Sequence, residues 1–118
     1  MSKPEIFKVP ISQSDTRRLA DESFGDMVKF VVDLEREIIC AGGGLHSDEE
    51  QLLLDDGSKQ ENLWGANYYL DDHGESRFEY TSTINIRSRQ NNTSQQIQSE
   101  DIRHQVKKLA VHFFESEN

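Results

Sequence analysis

Cysteine is almost missing from this chain, basic side chains are outnumbered, and no long apolar run occurs. Cys40 is the single cysteine, so no disulfide can close within the chain, and a small fold must be held by packing alone. There are 13 basic against 22 acidic side chains, for a formal charge of −9. Affinity for nucleic acid rests on neutralising phosphates with a basic field, so no nucleic-acid partner is expected. No stretch approaches the roughly 20 apolar residues that cross a bilayer, and no membrane role is expected. The opening "MSKPEIFKVP" lacks the apolar core of a signal peptide. With the lone thiol, this gives the expectation of a cytoplasmic protein.

What is present is one domain's worth of chain, residues 1–118. The apolar fraction of 34% is low and the charged fraction of 30% is high. The core must therefore be lean, and pairing with a second copy, a homodimer, is expected to complete its burial.

Periodicity sets out the elements. "IFKV" is a short strand closed by Pro10. Ile11, Ser12 and Asp15 then open a helix over 13–24, with Leu19, Ala20 and Phe24 on its apolar side and Gly25 as its stop. "MVKFVVDLEREIICA" alternates at its start, placing Val28, Phe30 and Val32 on one face, and reads as a hairpin whose turn lacks Gly or Asn. "LWGANYYL" and "RFEYTSTINI" form a second hairpin. Trp64, Ala66, Tyr68 and Leu70 face the core from its first strand, and Phe78, Tyr80, Ser82, Ile84 and Ile86 from its second. The opposite face, with Gly65, Asn67, Thr81, Thr83, Asn85 and Arg87, reads as a polar sheet surface. "RSRQNNTSQQIQ" reads as a long polar loop. Ser99 caps a helix over 100–115 whose Ile102, Val106, Leu109, Ala110 and Phe113 form one stripe. The fold class is α+β: an antiparallel sheet of four to five strands with about three helices, mainly on one face.

The stretch "AGGGLHSDEEQLLLDDGSKQENLWGANYY", residues 41–69, concentrates glycines, a histidine and the only tryptophan. Ser47 and Glu50 have the spacing of a capping box, and Asp48 to Glu50 sit where a helix dipole favours negative charge. The acidic cluster is thus explained as a helix start. Gly43 and Gly44 provide a reversal before it, or let a ligand approach the backbone. His46 stands beside three carboxylates, but no second histidine or cysteine has the spacing of a zinc site, and no metal or cofactor is expected. The glycines lack the Lys-Ser/Thr of a phosphate loop. Asn62, Asn67, Asn85, Arg87, Arg89 and Asn92 gather around the second hairpin and the loop leaving it. Asparagine is poor in strands, so these side chains either fasten loop backbone or offer amides to a ligand. Arg87 and Arg89 can present a guanidinium fork to an anion, or pair with the protein's own carboxylates.

"FGDMVKFVVDLE", the 41–69 stretch and "INIRSRQNN" together resemble a small bacterial and archaeal family catalogued as a domain of unknown function. The likeness runs from about residue 5 to 113, with "DGSKQENLWG" its most specific part. The resemblance implies a single compact domain and no particular activity. The family's loop reads N-I-R-P-S-Q-G-N-R-S-R; here Ser88 stands for its proline, Asn91 for its glycine, and Thr93 and Gln95 for its later arginines. This copy is less basic.

The functional expectation is a non-enzymatic cytoplasmic binding or interaction domain, for a small anionic ligand or a protein partner. Its candidate surface is Gly43, Gly44, His46, Asn62, Asn67, Asn85, Arg87, Arg89 and Asn92. The alternative is a small enzyme acting on an anionic small molecule near His46, Asn85 and Arg87, which would have to line one concave pocket.

Overall fold

The computed structural model describes residues 3–116. Strand β1 (Glu5–Phe7) precedes helix α1 (Gln13–Asp21), strands β2 (Met27–Asp33) and β3 (Ile38–Ala41), and helix α2 (His46–Asp55). Strands β4 (Leu63–Tyr69) and β5 (Phe78–Glu79) and helix α3 (Glu100–Glu115) follow, with short 3-10 turns between them. The five strands form one antiparallel sheet in the order β1-β3-β2-β4-β5.

The alternation read from the sequence sets one face of this sheet. Val28, Phe30, Val32, Trp64, Ala66 and Tyr68 join the main core with Leu19 and Ala20 of α1 and Val106, Ala110, Phe113 and Phe114 of α3. Trp64 is 1% exposed. Phe114 stacks on Tyr68 at 4.6 Å and meets Phe30 edge-on at 5.3 Å, geometries that ring quadrupoles favour. Both terminal phenylalanines are buried, so neither supplies the exposed aromatic surface that would argue for pairing of chains.

Two helices thus cover one face, and α2 covers the other. A second cluster of Val31, Ile38, Cys40, Leu53 and Leu63 lies beneath it, so the face read as polar surface is capped by α2 where these residues meet it. The hairpin turn without Gly or Asn is built by Asp33, whose Oδ1 accepts from the N–H groups of Glu35 and Arg36, both at 2.9 Å. Glu37 takes the left-handed conformation, φ 55°.

Several boundaries move. The first helix stops at Asp21 rather than residue 24, leaving Phe24 exposed beyond it. Its capping pair forms as expected, Asp15 N–H donating to Ser12 Oγ at 3.0 Å. Ser47 does not cap α2. The N-cap is Leu45, without a side-chain cap, because the helix begins at His46, whose ring is held down on the sheet. The strand expected over 77–86 is only two residues long. Ser82 folds against Gly65, Ile84 packs with the second cluster, and Ile86 is 51% exposed. The loop expected to lack structure contains a 3-10 turn, Ser88–Gln90, and isolated bridges Arg87 to Asn92 and Thr81 to Gln96. Helix α3 keeps the limits its stripe and cap imply, with Ile102 N–H donating to Ser99 Oγ at 3.2 Å.

Candidate functional site

β5 pairs with β4 only at Asn67 and Tyr68, so the edge of β4 from Leu63 to Gly65 needs partners from elsewhere. The asparagine and arginine group provides them. Asn85 Nδ2 donates to the Gly65 carbonyl at 2.9 Å while its Oδ1 accepts from the Gly65 N–H at 2.9 Å. The Arg87 guanidinium donates to the carbonyls of Gln60 and Leu63 and lies 4.1 Å from the Trp64 ring. Asn92 Nδ2 donates to Asn85, Ser94 and Gln96 carbonyls and its Oδ1 accepts from Gln98 N–H. Asn62 is half-buried, donating to Glu35 at 3.4 Å. Asn85 and Asn92 are thus buried fasteners of the long loop.

The remaining candidates separate into two cavities. Arg87 and Arg89 line one of about 550 Å³, with Gln60, Glu61 and Ile86. His46 and Asn67 line another of about 290 Å³, with Lys29, Ser47, Ser82 and Gln95. His46 and Arg87 therefore do not share a pocket, and Asn85 lines neither, being fully buried against Gly65. Gly43 lies under α2, its N–H donating to Glu49 Oε2 at 2.9 Å, and Gly44 continues the bend into α2. Gly65, named in the sequence only as part of the polar sheet face, packs directly against Ser82 and His46, which line this cavity. A Cβ there would stand 2.8 Å from Ser82 Cβ and 3.2 Å from His46 Cδ2.

His46 sets the cavity floor. Its Nε2–H donates to the Ala66 carbonyl at 2.8 Å. Burial lowers its pKa to about 4, outweighing the Ala66 and Asn67 interactions that favour the cation, and Lys29 pushes the same way as burial. The ring is neutral at pH 7. One turn on, Glu49 is fully buried. Its carboxyl is raised well above the usual range by burial, which the Gly43 N–H only partly opposes. Lys29 forms no ion pair among the described residues and packs 5.2 Å from the Phe24 ring. Asn67 is 5% exposed. Its Nδ2 donates to Glu79 Oε1 at 2.8 Å, and its Oδ1 has no partner among the described residues.

Lys29, Ser47, Ser82 and Gln95 were not among the candidate site residues read from the sequence. Lys29 carried a partial signal, since it stands at opposite parity to Val28 and Phe30. Its neighbour across the sheet, Asn67, follows from strand register, which the sequence does not display.

Among the described residues, no group of three or more His, Cys, Asp and Glu is placed to hold a metal ion, and no helix is long and apolar enough to cross a membrane. Neither a curated protein nor a solved structure matches this chain. Residues 5–113 match the family described as a protein of unknown function, DUF5674. The match spans nearly the whole α+β domain, and the chain belongs to that family.

Proposed function

We propose that this protein is a binding domain whose site is the cavity at the start of α2, and that it takes a small anionic molecule there. The observation that carries the reading is the convergence on one cavity of Lys29, which makes no ion pair among the described residues, and the uncapped N-terminus of α2. The first N–H groups of a helix carry a partial positive charge and lack intrahelical acceptors, and Lys29 adds a full one. Burial raises the pKa of the Glu49 carboxyl and so opposes a negative charge beneath the site, despite the protein's net charge of −9.

The second, arginine-lined cavity is the weaker candidate, because the Arg87 guanidinium is already engaged by two backbone carbonyls. The reading is non-enzymatic: the one histidine at the cavity has its Nε2 committed to Ala66 and is held neutral. A cytoplasmic location and a two-fold pairing of chains belong to the same reading. The buried lone thiol of Cys40 supports the first, and the outer edge of β1 with exposed Val9 beside it supports the second.

Backbone-amide NMR with added inorganic phosphate or acetate tests the site. Shifts should centre on His46, Ser47 and Asn67, and Lys29→Met should weaken binding by about tenfold or more, the loss of a charge-assisted contact. Shifts centred on Arg87 and Arg89 would move the site to the other cavity. No shift with either anion would overturn the reading.

A further inference from the structure

Helix α2 covers the smaller of the two apolar clusters, and in its first turn Glu49 is an acid with no exposed surface. Among the described residues, its Oε2 has one donor, the Gly43 N–H at 2.9 Å, and its Oε1 has none. It makes no ion pair among them. The carboxyl fills a tight slot: a Cβ on Gly43 would stand 3.2 Å from Glu49 Cγ and 3.3 Å from Pro4 Cβ.

A carboxylate buried on one hydrogen bond is costly, and a bound proton removes the charge. The groups around Glu49 do not reverse this. Lys29 of β2 favours the charged form without pairing with it, and Asp48 of α2 opposes it. Cys40 of β3 is a buried thiol raised by burial, by Glu49 and by Glu5 of β1, and Glu5 itself is paired with Arg18. The turn Thr83–Asn85, packed on the same helix, has no ionisable side chain. The main core lies with α1 and α3 and contains no residue of α2, so this helix can lift while that core stays closed.

We propose that α2 is a proton-held cover: it stays docked while Glu49 carries a proton, and loss of that proton lifts the helix and bares Cys40 with the second cluster. The docked state binds the proton more tightly than the open one. Opening therefore increases as pH rises above the usual carboxylate range and levels off beyond the raised pKa of docked Glu49. Leu45, His46 and Ser47 line the cavity proposed for an anion, and lifting α2 dismantles it. The cover itself does not depend on that reading.

Cys40 is the chain's single thiol and reports the opening. Its alkylation by iodoacetamide is followed without ligand from about pH 5 to 8.5 and corrected for the thiolate content of a free cysteine. The corrected rate is divided by that of Glu49→Gln, which keeps an oxygen for the Gly43 N–H. In this ratio the titrations of His46 and of Cys40 itself cancel. The ratio should climb by up to about tenfold per pH unit, the effect of one proton released on opening. Amides of Leu52 and Leu53 should lose exchange protection in step, while those of Phe30 and Val106 keep theirs. Glu49→Met, an unbranched apolar chain in the same slot, takes the place of the Gln variant if that folds poorly. A ratio independent of pH would overturn the inference. So would loss of protection at Leu52, Phe30 and Val106 together, because the whole molecule would then be opening.

Discussion

Asn85 makes both main-chain hydrogen bonds of Gly65, donating to its carbonyl and accepting from its N–H at 2.9 Å each. A side chain here does the work of a longer β5. It also donates to the Gln95 carbonyl at 3.0 Å, tying the loop to the same point. Asn85→Ala leaves the donor and acceptor of a fully buried Gly65 unmet. Each such group costs roughly 1–3 kcal/mol, so a loss of about 3 kcal/mol or more is expected in urea unfolding. Asn85→Asp keeps the acceptor but sets a carboxylate oxygen against the Gly65 and Gln95 carbonyls in a fully buried place, and at pH 7 should cost at least as much as Asn85→Ala.

Arg87 braces the neighbouring part of that edge. Its guanidinium bonds two carbonyls while lying over Trp64, and burial lowers its pKa, which Glu50 only partly opposes. Arg87→Ala should cost about 2 kcal/mol from the lost bonds and cation–π contact, while leaving ligand shifts at His46 unchanged. Loss of those shifts with stability intact would assign Arg87 to the site instead.

Glu49 and His46 give stability opposite pH slopes. The folded pKa of Glu49 is raised, so the native state binds its proton more tightly than the unfolded chain. Its contribution is full below the unfolded carboxylate range and is lost as pH rises towards its folded pKa. The folded pKa of His46 is lowered from 6.5 to about 4, so its contribution is present above pH 6.5 and is lost as pH falls through that window. Glu49→Gln, which keeps an oxygen for the Gly43 N–H, should raise stability at pH 7 and remove the loss at high pH. A urea-midpoint profile against pH for both proteins checks this. An unchanged midpoint at pH 7 would show that the carboxyl is not held neutral.

Two serines separate a true cap from an apparent one. Ser99 Oγ accepts from Ile102 N–H, and Ser99→Ala should cost about 1 kcal/mol. Ser47 lies inside α2 and caps nothing, so Ser47→Ala should change stability by less than about 0.5 kcal/mol, as at ordinary surface positions. Thermal unfolding of the pair measures both.

Gly65 bears on the cavity directly. Gly65→Ala would drive a methyl group into Ser82 and the His46 ring, and overpacking of that kind costs roughly 1–3 kcal/mol. The ring should be pushed from its seat on Ala66, with ligand shifts lost as well. A variant that keeps both stability and binding would show that the cavity wall gives way.

The main core was legible in the chain because it depends on local periods. The parity of Val28, Phe30 and Val32 and of Trp64, Ala66 and Tyr68 needs only the two-residue repeat of a strand. The limits of α3 need only its cap and stripe. The site depends on longer distances. That Lys29 stands beside Asn67, and Asn67 beside Glu79, is a property of register between strands far apart in sequence. The length of β5 was set by Asn85, which takes the place of a ladder partner at Gly65 and frees the chain to turn. The start of α2 was set by the seat of His46 on Ala66, which prevails over a capping pattern worth about 1 kcal/mol. The sequence by itself determined which residues alternate, which repeat with helical period and which faces are apolar. Tertiary structure decided which polar groups meet, because a side chain finds its partner only after the sheet has brought distant segments together.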